Sequence, residues 1–491
     1  MKATAEHLDV LIVGAGISGI CAGYGLHKAH PEKEYAIFES RNDLGGTWDL
    51  FRYPGIRSDS DMYTLGYSFK PWDSANGIAD GGDIQAYIRE TAEENGITPK
   101  IRYGHQVKSA EWSSGLQCWT VIVEREGADN FTVTCTFLLA CSGYYDYEKG
   151  YTPDFPDLEE FGGNIVHPQD WDDSVDYTDK RVVLIGSGAT AITLLPALAE
   201  KAKHVTMLQR SPTYIVSMQS NEPWMVFLKK HFPMRWAYSL VRAKHIFATT
   251  FWGVVASFWP KRFGALLIAG VRQAMGPDFD VKRHFVPRYL PWEQRVCMAP
   301  EGDFFDVLKN GRASIVTDQI EKFTRKGVLL ESGQELAADL IVTATGLNLK
   351  VLGGIDLSVD GQRMDLGKAT VYKGMMFSGV PNLVAFTGYT GASWTLKIEI
   401  TASYISKLFD YMKKHQYESC TAILADSVTV DETLMGLSSG YVKRAEHLLP
   451  KQGKKWPWRT HNSYLLDRQR QVFTSINDGV LRFEGAGKLT G

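Results

Sequence analysis

Two glycine-rich loops carry the clearest chemistry in this chain. Gly14-Ala15-Gly16-Ile17-Ser18-Gly19 follows an apolar run at 8–13 and opens a stretch, 17–28, that continues as a helix before Pro31. Strand, tight glycine turn and helix in that order make a short pattern specific. Gly14 permits the turn, Gly16 lets backbone approach a pyrophosphate, and Gly19 lets helix pack on strand, with the phosphates at the positive helix end. The second loop, Gly186-Ser187-Gly188-Ala189-Thr190-Ala191, repeats the layout between a strand at 181–185 and a helix from 189 to about 201. One loop would indicate a single nucleotide. Two loops of different chemistry indicate two dinucleotides held at once, with electrons passing between them.

The residue ending the next strand separates the two. After the strand at 35–38 comes Glu39, twenty residues past Gly19, where a carboxylate accepts hydrogen bonds from ribose hydroxyls. The strand at 204–208 ends instead in Gln209-Arg210-Ser211. A carboxylate there would repel a 2′-phosphate, whereas a guanidinium grips one through paired hydrogen bonds. FAD is therefore expected in the first site and NADPH in the second. The competing readings are a solvated strand end for Glu39 and an ordinary surface arginine for Arg210.

Composition sets the class. A chain of 491 residues, 44% apolar and 22% charged, has material for two to four domains. A net charge of −3 without basic-aromatic runs argues against nucleic acid, and no Cys/His spacing suits a metal. The six cysteines are scattered without a C-x-x-C pair, which disfavours a dithiol reductase and suits a reducing cytosol. Glu6 and Asp9 stand where a signal peptide would be basic. The apolar, aromatic stretch 246–259 ends at Pro260-Lys261-Arg262 and is too short to span a bilayer. It reads as a buried or substrate-facing helix, with an interfacial helix resting on lipid as the second reading. A cytoplasmic location is expected, with peripheral membrane contact as the variant.

Further strand-to-glycine endings occur at Gly143, Gly346 and Gly388. Short buried strands stopping at glycines suit doubly wound α/β sheets. The expected fold is α/β, with two Rossmann-like dinucleotide-binding domains, the second inserted in the first. The FAD unit takes 1–148 and 381–491, the NADPH unit 149–214 and 291–380, and a helical, Trp- and Phe-rich cap takes 215–290. A tail helix is expected from about Glu399 to Lys414. Nothing in the sequence sets the oligomeric state.

Between the loops lies Phe161-x-Gly163-x3-His167-x3-Trp171-Asp172, and near the first loop lies Gly45-Gly46-x-Trp48-x4-Tyr53-Pro54-Gly55-x3-Asp59. Together with the loops they resemble type I Baeyer-Villiger flavin monooxygenases over essentially the whole chain. Phe51-Arg-Tyr-Pro-Gly-Ile-Arg-Ser-Asp59, Arg210-Ser-Pro-Thr-Tyr214 and Pro291-Trp-Glu-Gln-Arg295 are most similar to the bacterial ethionamide-activating subgroup. Gln294 departs from the lysine that many members use to help hold the 2′-phosphate.

The resemblance implies an NADPH- and O2-dependent enzyme that converts ketones to esters or lactones through a C4a-peroxyflavin and also oxidises sulfides and thioamides. A heteroatom-only flavin monooxygenase is the alternative, and a flavin-binding regulatory protein without turnover a third. Arg295 would stabilise the oxygen anion, and Asp59 would pair with it and help place the nicotinamide. Ser18, Gly46, Thr47, Trp48, Asp49, Leu50, Asp59, Val107, Gly143 and Gly346 are expected at FAD. Arg57, Ser58, Gly186, Ser187, Gly188, Ala189, Thr190, Ala191, Arg210 and Ser211 are expected at NADPH. His167 and Trp171 belong to the linker between nucleotide domains, which implies that they transmit domain position rather than protons.

Overall fold

The computed structural model describes residues 6–294, 296–434, 436 and 438–485. Its first sheet grows around Glu6–Val13, whose four buried C-terminal residues pair in parallel with Tyr35–Phe38 on one side and Ala128–Ala140 on the other. The long strand Ala128–Ala140 changes partners along its length. Its N-terminal part runs antiparallel to Cys118–Arg125, while its buried C-terminal part pairs in parallel with Leu383–Ala385. His105–Ser113, Asp356–Val359 and Gln362–Arg363 complete one edge, and Ile101–Arg102 the other. The hairpin at 356–363, which a boundary at 381 leaves with the second unit, thus hydrogen-bonds into the first sheet.

The second sheet has five strands, all parallel, in the order Ala313–Thr317, His204–Gln209, Arg181–Ile185, Leu340–Thr343 and Asn164–Val166. It lies in the chain between strands of the first sheet, so the second unit is inserted. The parallel strands at the centre of each sheet are buried on both faces, which is why they read as continuous apolar runs rather than alternating ones. Each nucleotide loop leaves a central strand and starts a helix, Ile17–Ala29 in the first unit and Ala189–Ala199 in the second. Glycine is required at these crossings. A Cβ on Gly19 would lie 1.8 Å from the Gly14 carbonyl oxygen, and one on Gly186, at φ +139, would lie 2.3 Å from the Ala344 oxygen.

The cap consists of the helices Pro223–His231, Met234–Phe258, Pro260–Met275 and Val281–Phe285. Its long helix is seated by Arg242, which is buried, donates to the Tyr63 and Gly66 carbonyls, and pairs with Glu399 at 2.9 Å. The stretch 246–259 is not the buried helix that its hydropathy suggested. Phe247, Phe251, Trp252, Phe258 and Trp259 are exposed, and only Ala256 is buried. The tail helix also differs from expectation, beginning at Trp394, five residues early, and running to His415.

A second joint holds the cap. His245 sits between two carboxylates, with Nε2 2.8 Å from Glu222 and Nδ1 3.3 Å from Asp61. Burial pulls the imidazole down, but the Asp61 and Glu222 carboxylates outweigh it and hold the group above its ordinary value. Its stabilisation is therefore complete below the unfolded value and is lost as pH rises through the folded one. We expect the thermal midpoint to fall as pH rises from the ordinary imidazole range through the raised folded-state value, and the fall to shrink in His245→Gln. An identical pH dependence in that variant would assign the effect elsewhere.

Candidate functional site

The carboxyl ends of both sheets open onto one cavity of about 1150 Å3. Parallel α/β sheets bind ligands at this end, where strand order reverses and the loops part. Gly14, Gly16, Ser18, Glu39, Gly46, Thr47, Trp48, Val107 and Gly143 line it from the first unit, and Gly186, Ser187, Gly188, Ala189, Thr190, Arg210, Ser211 and Gly346 from the second. Arg57, Ser58 and Asp59 line the region between. Gly19, Asp49, Leu50 and Ala191 do not border the cavity. Gly19 and Ala191 pack helix against strand. Arg295 lies outside the described residues, while its neighbours Gln294 and Cys297 both border the cavity.

Glu39 is no solvated strand end, being only 4% exposed. Its carboxylate accepts from the Ala15 amide at 2.7 Å and the Arg41 amide at 2.9 Å. Burial pushes its pKa up, and these donors pull it back. The Ala15 bond ties the strand end to the glycine turn, so the acid both shapes the loop and presents acceptors to the cavity. Asp49 does different work. Its two oxygens are taken by Arg41 at 2.6 Å, Arg52 at 3.0 Å and Gln85 at 3.1 Å, which locks the short helix Thr47–Leu50 in place.

At the second loop the Ser187 hydroxyl donates to the Ser211 carbonyl at 2.9 Å, joining the turn to the end of the adjacent strand. Arg210 is exposed at the cavity edge and forms no ion pair among the described residues. Arg57 Nη1 binds Asp303 at 2.5 Å, whereas its Nη2 is buried with no partner in the protein. Ser142 Oγ is likewise buried and unpaired at the cavity wall. Buried donors left open beside a cavity are the expected signature of a polar ligand.

The backbone cradle fits a pyrophosphate. A Cβ on Gly46 would stand 3.1 Å from Gly16 Cα, so the two glycines leave a narrow slot, and Gly188 faces open space. The residues present thus suit two dinucleotides.

The residues of the Phe161–Asp172 motif stand behind this wall. His167 Nδ1 accepts from the Gln169 amide at 3.1 Å, which leaves the proton on Nε2 to donate to the Gly346 carbonyl at 3.0 Å. Burial holds its pKa below the ordinary imidazole value. The ring packs on Gly150, where a Cβ would come within 2.1 Å of it. His167 therefore fastens the linker to a cavity-lining carbonyl and does not itself reach the cavity. Trp171 is buried against Tyr177, Phe161 sits over Gly163, and Asp172 caps its own turn through Ser174.

Several lining residues have no local sequence signal. Trp394 donates to the Ser18 hydroxyl at 2.9 Å and stacks on Tyr144, bringing the tail helix onto the first loop. Tyr147 lies beside Thr47, and its phenol is pushed up to about 12 by burial.

Comparison with known proteins agrees with this geometry. A family model described as "FMO-like: Flavin-binding monooxygenase-like" matches residues 7–244. The chain is 46% identical over 479 residues to the FAD-containing monooxygenase EthA of Mycobacterium tuberculosis, covering 97% of this chain and 98% of that one. It is 45% identical over 481 residues to the probable FAD-binding monooxygenase AlmA of Acinetobacter baylyi, covering 98% and 96%. Among solved structures, an oxidized steroid monooxygenase bound to NADP superposes with a TM-score of 0.77 at 21% identity, over 98% of this chain and 100% of that one. The cyclohexanone monooxygenase from Rhodococcus sp. Phi1 bound to NADP+ gives 0.70 at 20% identity, over 85% and 87%. These two share the fold. With close to half of its residues shared along nearly its full length with FAD-containing relatives, the chain belongs to the flavin-binding monooxygenase-like family and is an enzyme of the monooxygenase class.

Proposed function

We propose that this protein is an FAD-containing, NADPH- and O2-dependent Baeyer-Villiger monooxygenase, converting ketones to esters or lactones and also oxidising sulfides and thioamides. The observation that carries the reading is that both glycine loops, Glu39 and Arg210 border one continuous cavity. Fold relatives solved with FAD and NADP together support it. When bound, FAD would accept hydride from NADPH and activate O2.

The chain's own residues would do the rest. Gly14, Gly16 and Gly46 would seat the FAD phosphates, and Glu39 would accept from the ribose. Gly186, Ser187, Gly188 and Thr190 would hold the NADPH phosphates, with the open Arg57 nitrogen and Ser58 beside them and Arg210 at the 2′-phosphate. Arg295 would set a permanent positive charge where negative charge develops on the attacked carbonyl oxygen, a preorganised contribution on the order of 3–4 kcal/mol. Asp59, which lines the cavity near Tyr53, would orient that guanidinium and the nicotinamide. The FAD unit would comprise 1–148 and 381–491 together with the hairpin at 356–363 that pairs into its sheet, the NADPH unit the rest of 149–214 and 291–380, and the cap 215–290.

The test is turnover under 18O2 with linear and cyclic ketones beside an alkyl aryl sulfide. Ester or lactone carrying one labelled oxygen is expected. Arg295→Ala should keep its flavin and still oxidise NADPH, yet lose ester formation by about a hundredfold or more. Sulfoxide with no ester from any ketone would favour the heteroatom-only enzyme.

A further inference from the structure

The cap carries an apolar surface that the cavity does not use. Of the 23 exposed large hydrophobic side chains among the described residues, 13 lie between 224 and 266. On the long helix Met234–Phe258 they fall at Trp236, Leu240, Phe247, Phe251, Trp252, Val254 and Phe258. Eleven residues turn an α-helix by about three turns. Positions 236, 247 and 258, and likewise 240 and 251, therefore form one straight stripe. Phe258 is 75% exposed and Phe247 69%. The other side of the helix, with Ala237, Tyr238, Val241 and Arg242, is already buried in the protein. A helix apolar on both sides needs a second apolar neighbour beyond its own core.

Charge identifies that neighbour. Residues 223–277 contain no Asp or Glu, although 56 in 491 would place about six in a stretch of that length. The same stretch holds eight Lys and Arg. Three of these are committed within the protein, Arg242 to Glu399, Lys244 to Glu222 and Lys229 to Asp73. Lys230, Arg235, Lys261, Arg262 and Arg272 are exposed and make no ion pair among the described residues. In a chain of net charge −3, this stretch is therefore a basic segment without an acid of its own. A second copy docked on the same face would bring these cations together with no acid of the patch to neutralise them. Anionic lipid headgroups would neutralise all of them.

No single helix among the described residues is long and apolar enough to cross a bilayer. The uncharged stretch 246–260 spans about 22 Å as a helix, short of the roughly 30 Å hydrocarbon core. The next helix, Pro260–Met275, departs from it at 116°. Trp259 directly precedes Pro260-Lys261-Arg262 at that bend, and Trp252 packs across it on Phe263, so rings and cations share the bend in the way that suits the headgroup boundary.

We propose that this face docks the enzyme in the plane of an anionic lipid membrane, with the stripe of rings set at the acyl boundary and the cations on the headgroups. The proposal stands apart from the reading of the cavity, and its test needs no turnover. The whole flavin-loaded protein is floated with vesicles of phosphatidylcholine alone or mixed with phosphatidylglycerol. Binding is expected with the anionic mixture, weakening as salt is raised, together with a blue shift of tryptophan emission. Lys261→Glu with Arg262→Glu should lower partitioning by about tenfold or more. Phe247→Ser with Phe251→Ser should do so by a similar or larger factor, with the unfolding midpoint unchanged because the rings are exposed. No binding to the anionic vesicles, or equal binding to both kinds, would overturn the proposal. So would a vesicle-independent dimer that Phe251→Ser dissociates, since a second copy would then be the occupant.

Discussion

Glu39→Lys is expected to give colourless protein that takes up no FAD at micromolar concentration. In the wild type the carboxylate lies almost wholly out of water and accepts from the amides of Ala15 and Arg41. The Ala15 amide belongs to the first nucleotide turn and the Arg41 amide to the segment that leaves the strand, so an acid at 39 joins the two before any ligand arrives. A hydrogen bond to a charged group contributes roughly 1.5–3 kcal/mol, and one lost ribose bond alone weakens binding about ten- to a hundredfold. Lysine removes the acceptors, turns a donor toward the Ala15 and Arg41 amides, and buries a charge without a partner, so the losses compound. Glu39→Gln keeps the shape and one acceptor, and its dissociation constant should rise about ten- to a hundredfold. Flavin absorbance of the purified variants, followed by fluorimetric titration of apoprotein with FAD, measures both. Full flavin occupancy in Glu39→Lys would remove this residue from the site.

Features such as Glu39 were legible because their parts are contiguous. Strand, turn, helix and strand end fall within about thirty residues, and each constrains the backbone in a way only certain side chains satisfy. The second loop with Arg210, and the inward-facing glycines at 143 and 346, were readable on the same ground. Asp49 was not. The family resemblance implies a flavin contact for it, but its use is set by Arg41, Arg52 and Gln85, the last on a different helix. Trp394 reaches Ser18 across 376 residues, and no local pattern encodes such a contact. The apolar stretch 246–259 shows a different limit. Hydropathy measures how strongly a segment avoids water, but which neighbour covers it depends on the face that the rest of the helix has already buried. There, Arg242 and Tyr238 take the inner side and leave the rings outside.

Arg210→Glu should raise the Michaelis constant for NADPH by about a hundredfold or more and leave that for NADH within a few-fold. Arg210 borders the cavity where the strand His204–Gln209 ends, is exposed, and has no carboxylate partner among the described residues to compete for it. The guanidinium is therefore available to a doubly charged phosphate. Removing it loses a charge-assisted pair of hydrogen bonds, and a carboxylate adds repulsion that NADH, lacking the phosphate, does not feel. Because the position is exposed, raising the salt should compress the difference between wild type and variant. Gln294, which borders the same cavity, supplies the reciprocal experiment. Gln294→Lys adds a second cation and should tighten NADPH relative to NADH by several-fold, about what a partly screened charge contributes. Equal changes for both cofactors in Arg210→Glu would show that another group reads the phosphate. The open Nη2 of Arg57 would then be the first candidate, since its Nη1 is already held by Asp303.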